Sequence, residues 1–239
     1  MLITAEDPLT DERHEVVIKL GPDVQSGRMG LATESICAAL AFPLGLKAAR
    51  GWTVEITPDF AASVPDFKAR ERLTRAVGPQ FGSTFHSGQY HVPLTDDHLE
   101  ADLMDPAAAV MLFDAMIGND DRHRNKPNCL LKGADIILID HERALPGLRA
   151  EFRPAAWESG GLELFRNHAF FNGLRGQLPD FTSPCLLWAN ITAKMAEQIV
   201  SDVPTLWMDG CERRKAIDFL VEMQNNASRV SGLLTDLLR

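Results

Sequence analysis

Gly118-Asn-Asp-Asp-Arg-His-Arg-Asn-Lys-Pro-Asn-Cys-Leu-Leu-Lys-Gly-Ala-Asp-Ile-Ile-Leu-Ile-Asp-His-Glu142 is the stretch on which the reading of this chain turns. Two short apolar runs, Cys129–Lys132 and Ile136–Ile139, flank Gly133-Ala134-Asp135, the signature of a compact β-hairpin. In an antiparallel pair centred on Ala134, residues equally far from the centre face each other, and Asn128 and Asp140 are equally far from it. An amide oxygen beside a carboxylate at the open end of a hairpin suits Mg²⁺, which keeps water and phosphate oxygens as its other ligands. Asp121 lies upstream in the polar loop, outside the sheet, where it is available as a base. Asn125, three residues further out than Asn128, fits the pairing less well.

Working outward, the first half alternates short strand and helix patterns, and the second half from about Gly160 reads almost entirely helical. Strands are expected at Glu15–Leu20, which stops at Gly21-Pro22, and at Trp52–Thr57, Phe81–Phe85 and Gln89–Val92. Helices are expected at Ala32–Ala41 and at Asp66–Val77, the latter closed by Gly78-Pro79. Asp105 as N-cap with Pro106 at the first helical position opens the apolar helix Ala107–Ile117, ended by Gly118. Further helices are expected at Leu162–Leu174, Pro184–Ala189, Ala193–Val200 and Glu212–Leu238. The strands give way to a polar connection near His91–Asp102, which divides the chain into an N-lobe, 1–95, and a C-lobe, 96–239. The fold class is α+β: a small β-rich lobe with one or two helices, then a mostly helical lobe carrying the polar loop and hairpin.

Composition narrows the function. The 239 residues carry 24 Lys+Arg against 33 Asp+Glu, a formal charge of -9 that argues against reading nucleic acid or an anionic lipid surface. The longest apolar stretches fall short of the roughly 20 residues that span a bilayer. Met1-Leu-Ile-Thr-Ala-Glu-Asp7 has no basic region ahead of an apolar block, so no signal peptide is read and a cytoplasmic location is expected. Cys37, Cys129, Cys185 and Cys211 are scattered without a C-x-x-C pair and are expected to be reduced core residues. His168, between Phe165 and Phe170, reads as a structural residue.

The run Asn119-Asp120-Asp121-Arg122-His123, then Asn128-Cys129-Leu130-Leu131, then Leu138-Ile139-Asp140-His141 resembles the catalytic core of HipA-like kinases, which share the protein-kinase-like fold with phosphoinositide kinases. Upstream, Val16-Val17-Ile18-Lys19 is similar to the strand whose Lys contacts nucleotide phosphates, and Glu34 falls where that Lys finds its partner. Phe81-Gly82-Ser83-Thr84-Phe85 is similar to the segment that leads to the hinge, placing Phe85 at the nucleotide. The resemblance spans about residues 15–145. It implies a bilobal ATP- and Mg²⁺-dependent kinase acting on a hydroxyl, Ser or Thr of a protein. Asp121 would orient or deprotonate the acceptor, Asn128 and Asp140 would hold Mg²⁺, Lys19 would add a charge fixed by Glu34, and Arg122 and His123 would brace the loop. It also implies a bacterial cytosolic setting and an antitoxin-like partner.

Two departures stand out. The family places its metal-binding Asn five residues after the catalytic Asp, and that position here is Lys126. Residues 1–14 contain no glycine, and the turn at Glu6-Asp7-Pro8 is acidic, so the phosphate-covering loop expected ahead of Lys19 is missing unless Gly21, Gly27 and Gly30 replace it. Two other functions compete. One is a metal-dependent phosphohydrolase using Asp120, Asp121, His123, Asp140 and His141; the other is a silent pseudokinase or binding module.

Overall fold

Buried and outward residues alternate along the strands of a first sheet. In the computed structural model, which describes residues 1–88, 90, 99–149 and 151–239, β1 (Leu2–Glu6) and β2 (Arg13–Lys19) form an antiparallel hairpin with Leu2 opposite Val17. After β2 the chain enters α1 (Arg28–Ala41), β3 (Lys47–Ala48), β4 (Gly51–Ile56), α2 (Pro58–Ser63), α3 (Phe67–Arg75) and β5 (Gly78–Thr84). The sheet runs β1-β2-β5-β4, and Val16, Ile18, Val54 and Ile56 pack on Ala61 and Leu73 of the two surface helices. Strand β1 and helix α2 escaped the sequence reading, so three helices precede residue 89. The strand expected at Gln89–Val92, Tyr90 aside, and the connection from His91 to His98 lie outside the described residues.

The second half is built around α4 (Met104–Ile117), whose stretch from Ala107 to Ile117 is apolar apart from Asp114 and is buried almost throughout. It starts earlier than expected: Leu103 occupies the N-cap without a side-chain bond, and Asp105 lies within the first turn, where a carboxylate favours the helix dipole. Gly118 ends it in the left-handed conformation, φ 67°, with Pro146 packed so closely that a Cβ would lie 2.9 Å from the Pro146 ring. Next come the hairpin strands β6 (Cys129–Lys132) and β7 (Asp135–Leu138), then α5 (Phe171–Leu174), α6 (Thr182–Ala189), α7 (Ala193–Ser201) and α8 (Gly210–Leu238). Helix α8 opens with a reciprocal capping box, Asp209 with Glu212. Its buried stripe, Ala216, Leu220, Met223, Ala227, Val230 and Leu234, recurs every three or four residues and belongs to one large core with α4.

That core also takes in Leu31, Ile36 and Leu40 of α1, and β3 pairs in parallel with β7, Lys47 opposite Ile137. The helix that carries Glu34 is thus packed on the helical body, while the strand that carries Lys19 belongs to the first sheet. Trp207 Nε1 donates to the Pro79 carbonyl at 3.0 Å, tying β5 to the same body.

Three expectations are corrected. The hairpin is centred between Gly133 and Ala134: Lys132 pairs with Asp135 and Cys129 with Leu138, so Asn128 faces Ile139 and Asp140 lies one step beyond. A two-residue turn with Gly133 at φ 57° replaces the expected three-residue one. Leu162–Leu174 is not one helix. A 3₁₀ turn at Glu163–Asn167 and the single turn α5 flank His168, whose backbone is extended and bridges to His123. Of the four free cysteines, Cys37 and Cys129 are buried, but Cys211 is exposed and Cys185 partly so.

His168 breaks its helix because its ring and backbone are committed elsewhere. Asp114, the one carboxylate of α4 that is fully buried, accepts from Arg122 Nε at 2.6 Å, Asn119 Nδ2 at 2.9 Å and His168 Nε2 at 3.0 Å. The Phe170 amide donates to His168 Nδ1, which leaves the proton on Nε2 to face Asp114. Burial alone would raise the Asp114 carboxyl, but the Arg122 guanidinium and the His168 hydrogen bond outweigh it and hold it at about 2. Arg122, itself fully buried, also reaches the Pro127, Asn128 and Ile139 carbonyls. Asp114→Ala would strand that guanidinium and should lower stability by about 3–5 kcal/mol in denaturant titration. A loss under about 1 kcal/mol, the size of an exposed pair, would contradict this role. Because the folded carboxyl is depressed below its ordinary 3.8, its contribution is complete above that pH and disappears as pH falls toward about 2.

Candidate functional site

Lys19 closes β2, and its ammonium sits among three carboxylates from two other elements. Nζ lies 2.5 Å from Glu34 Oε1, 2.6 Å from Asp140 Oδ1 and 3.2 Å from Glu142 Oε2. Burial would lower this lysine, but Glu34 and Asp140 outweigh it and raise it above its ordinary range. Glu34 is 2% exposed and bridges two elements, since its other oxygen accepts from the His141 amide at 2.9 Å. Desolvation would raise the Glu34 carboxyl; the His141 and Lys19 contacts reverse that and set it at about 2. Placing Glu34 opposite Lys19 is therefore a property of packing: α1 rests on the helical body, and β2 delivers Lys19 to it.

Asp140 follows Ile139 out of the hairpin and adopts φ 58°; Asn128, at the other open end, adopts φ 45°. Both leave the ladder in left-handed geometry, a conformation that Asn and Asp tolerate better than other side chains. Asn128 Nδ2 donates to Asp121 Oδ2 at 3.1 Å, and Lys126 Nζ lies 2.6 Å from that same oxygen and 3.2 Å from Asp140 Oδ2. Asp121 is anchored from behind, its amide donating to Asn119 Oδ1 at 3.3 Å. Asp121, Asn128, Asp140, Lys19 and Glu34 thus form one connected network. Asn125 is exposed.

Phe85 lies just past β5, 39% exposed, its amide donating to the Glu15 carbonyl at 2.8 Å. The acidic turn at Glu6-Asp7-Pro8 joins β1 to β2 at the end opposite Lys19, roughly 20 Å along the strand at about 3.3 Å per residue. Its charge therefore does not bear directly on a phosphate at Lys19. The later glycine segment is tied to α3, with Asp23 2.8 Å from Arg72.

Around this network, Lys126 and Asp114 went unassigned in the sequence, and Glu142 was read there only as support for Asp140 or as an exposed residue. Glu142 contacts Lys19 and, with Glu34 and Asp140, places oxygens within 4.8 Å of one another. Lys126 joins the two acids. Asp114 holds the loop, and the signal for it was the lone carboxylate in the apolar stretch Ala107–Ile117. The phosphohydrolase set is not gathered. Asp120 turns to Arg153 and Arg143, and His141 is buried beside Glu34, 3.5 Å from it. Among the described residues, the only group of three metal-competent acids or histidines is Glu34, Asp140 and Glu142. Hard oxygen donors of this kind fit Mg²⁺ or a similar cation.

No curated protein matches the chain. Among solved structures, the crystal structure of a Helicobacter pylori proinflammatory kinase, CtkA, superposes with a TM-score of 0.55 at 14% identity, covering 98% of this chain and 94% of that one. At that identity the likeness shows the fold, a bilobal kinase-like one. The family model for HipA-like kinases matches residues 11–232, nearly the whole length, and the chain belongs to the HipA-like kinase family.

Proposed function

We propose that this kinase transfers the γ-phosphoryl group of ATP, with Mg²⁺, to a hydroxyl, Ser or Thr of a protein. The observation that carries the reading is the network that links Lys19 and Glu34 to Asp140 and, through Lys126 and Asn128, to Asp121. ATP supplies the phosphoryl group, and Mg²⁺ neutralises charge on its phosphates. Asn128 and Asp140 would hold the metal, with Glu142 beside them; the αL turn at each end of the hairpin aims both side chains away from the ladder. Asn128 is favoured over Asn125 because its amide is already engaged with Asp121. Lys19, steered by Glu34, would bind the phosphates as a point charge. Asp121 would orient the acceptor hydroxyl and take its proton. Phe85, an exposed ring just past β5, is the proposed contact on the base side.

The division into lobes 1–95 and 96–239 is part of this proposal, with Lys19 and Glu34 contributed by the first and Asp121, Asn128 and Asp140 by the second. The bacterial cytoplasmic setting and the antitoxin-like partner rest on the family reading. No helix among the described residues is long and apolar enough to cross a membrane.

Incubation with γ-labelled ATP and Mg²⁺ should label the protein or an added lysate, and Asp121→Ala and Asp140→Ala should each lower transfer by about 10²-fold or more. Label retained in both variants would discard the assignment, and release of phosphate from simple esters without nucleotide would favour the hydrolase. ATP with Mg²⁺ at about 100 times Kd should stabilise the fold by about 2.7 kcal/mol, seen as a raised Tm, and EDTA should remove most of it. A Tm shift with no label in any substrate mixture would favour the silent binding module.

A further inference from the structure

Lys126 occupies a place that neither the hairpin nor the loop requires. The segment His123-Arg-Asn-Lys126 closes a tight turn in which the His123 amide donates to the Lys126 carbonyl at 3.2 Å and the Lys126 amide to the His123 carbonyl at 2.9 Å. Pro127 follows, buried, and the Asn128 carbonyl is held by Arg122. The backbone of Lys126 is therefore fixed at both ends, and its side chain crosses from Asp121 to Asp140. That side chain is 49% exposed, so the ion pairs contribute little to stability. Position explains it better than energy. A phosphoryl group moving from phosphates held at Lys19 and Asp140 to a hydroxyl aimed by Asp121 crosses the gap that this ammonium spans.

We propose that Lys126 is a catalytic residue whose ammonium binds the non-bridging oxygens of the transferred γ-phosphoryl group; this rests on the phosphotransfer reading above. In the step, the bond between the γ-phosphorus and the β,γ-bridging oxygen breaks, and ADP leaves with that electron pair. A bond forms from the acceptor oxygen to the phosphorus, and the hydroxyl proton passes to Asp121. Charge resides on the three equatorial oxygens throughout, and a lysine on a flexible stem can travel with them. Without nucleotide, the same ammonium serves as counter-ion to Asp121 and Asp140.

The test is calorimetric binding of ADP and of a non-hydrolysable imido analogue of ATP, each with Mg²⁺, to the full chain and to Lys126→Met and Lys126→Arg, with Tm as the folding control. Lys126→Met should weaken the analogue about tenfold, the loss of one charge-assisted bond, and leave ADP within about twofold. In transfer assays KM for ATP should rise in step with the weakened analogue and kcat should fall as well, so that kcat/KM drops by more than about tenfold, and Lys126→Arg should recover part of both losses. Equal weakening of the two nucleotides, no weakening, or a faster Lys126→Met enzyme overturns the proposal. Transfer that is lost in Asp121→Ala but unchanged in Lys126→Met overturns the Lys126 role alone; wild-type protein that binds neither nucleotide overturns the phosphotransfer reading with it.

Discussion

The buried Arg122 guanidinium is the constraint on which the rest of the site depends. It joins α4, through Asp114, to the Asn128 carbonyl on one side of the hairpin mouth and the Ile139 carbonyl on the other. A charge taken wholly out of water is tolerable only with its counter-charge and a full set of acceptors, and Asp114 and three carbonyls supply both. In return the loop between Asp121 and Asn128 has one arrangement relative to the strands. Asn119 extends the same order to the Asp121 amide. Remove the guanidinium or its acid, and the two candidate ligands and the candidate base lose their common reference.

Around that fixed frame the working charges are less buried and more loosely paired. Lys19, Asp140 and Glu142 each keep about a quarter of the side chain exposed, whereas Glu34 is enclosed. The division has a consequence for mechanism. The groups proposed to meet a nucleotide and a metal would have to exchange partners, and they stand at the solvent edge, while Glu34, the partner of Lys19, is locked into the helical body by α1. Both lysines of the network rest on Asp140, so the carboxylate proposed to take a metal is already surrounded by positive charge. Replacing ammonium by a divalent ion there exchanges one cation for another and leaves the carboxylate facing the same way.

Much of this was legible in the sequence because it is local. The strand ending at Gly21-Pro22, the apolar helix closed by Gly118, the helix at Ala193–Val200 and the hairpin runs all follow from short-range pattern. The single-residue error in hairpin register arose because Gly133-Ala134-Asp135 reads as a three-residue turn, whereas Asp135 pairs with Lys132 and meets Lys47 across the second sheet. Asn128 and Asp140 still reached one network because each departs from the ladder in αL geometry, which no pattern rule foresaw. The helix expected across His168 failed for a tertiary reason, the attraction of its ring to Asp114. Lys126 was invisible as a site residue, and Glu142 read equally as support for Asp140 or as exposed, because charged positions after a strand or in a loop look solvated until the fold brings β2 and α1 against them.

Asn128 and Asp140 are proposed to hold a divalent cation within reach of Asp121, with Lys19 on the phosphates. A crystal structure with Mn²⁺ and the imido analogue of ATP tests it most directly, since the anomalous signal locates the metal without reference to activity. The peak should lie about 2.0–2.3 Å from an oxygen of Asp140 and from Oδ1 of Asn128, with Lys19 moved from Asp140 to the phosphates. A metal bound away from both residues, or Lys19 still seated on Asp140 with nucleotide in place, would contradict it.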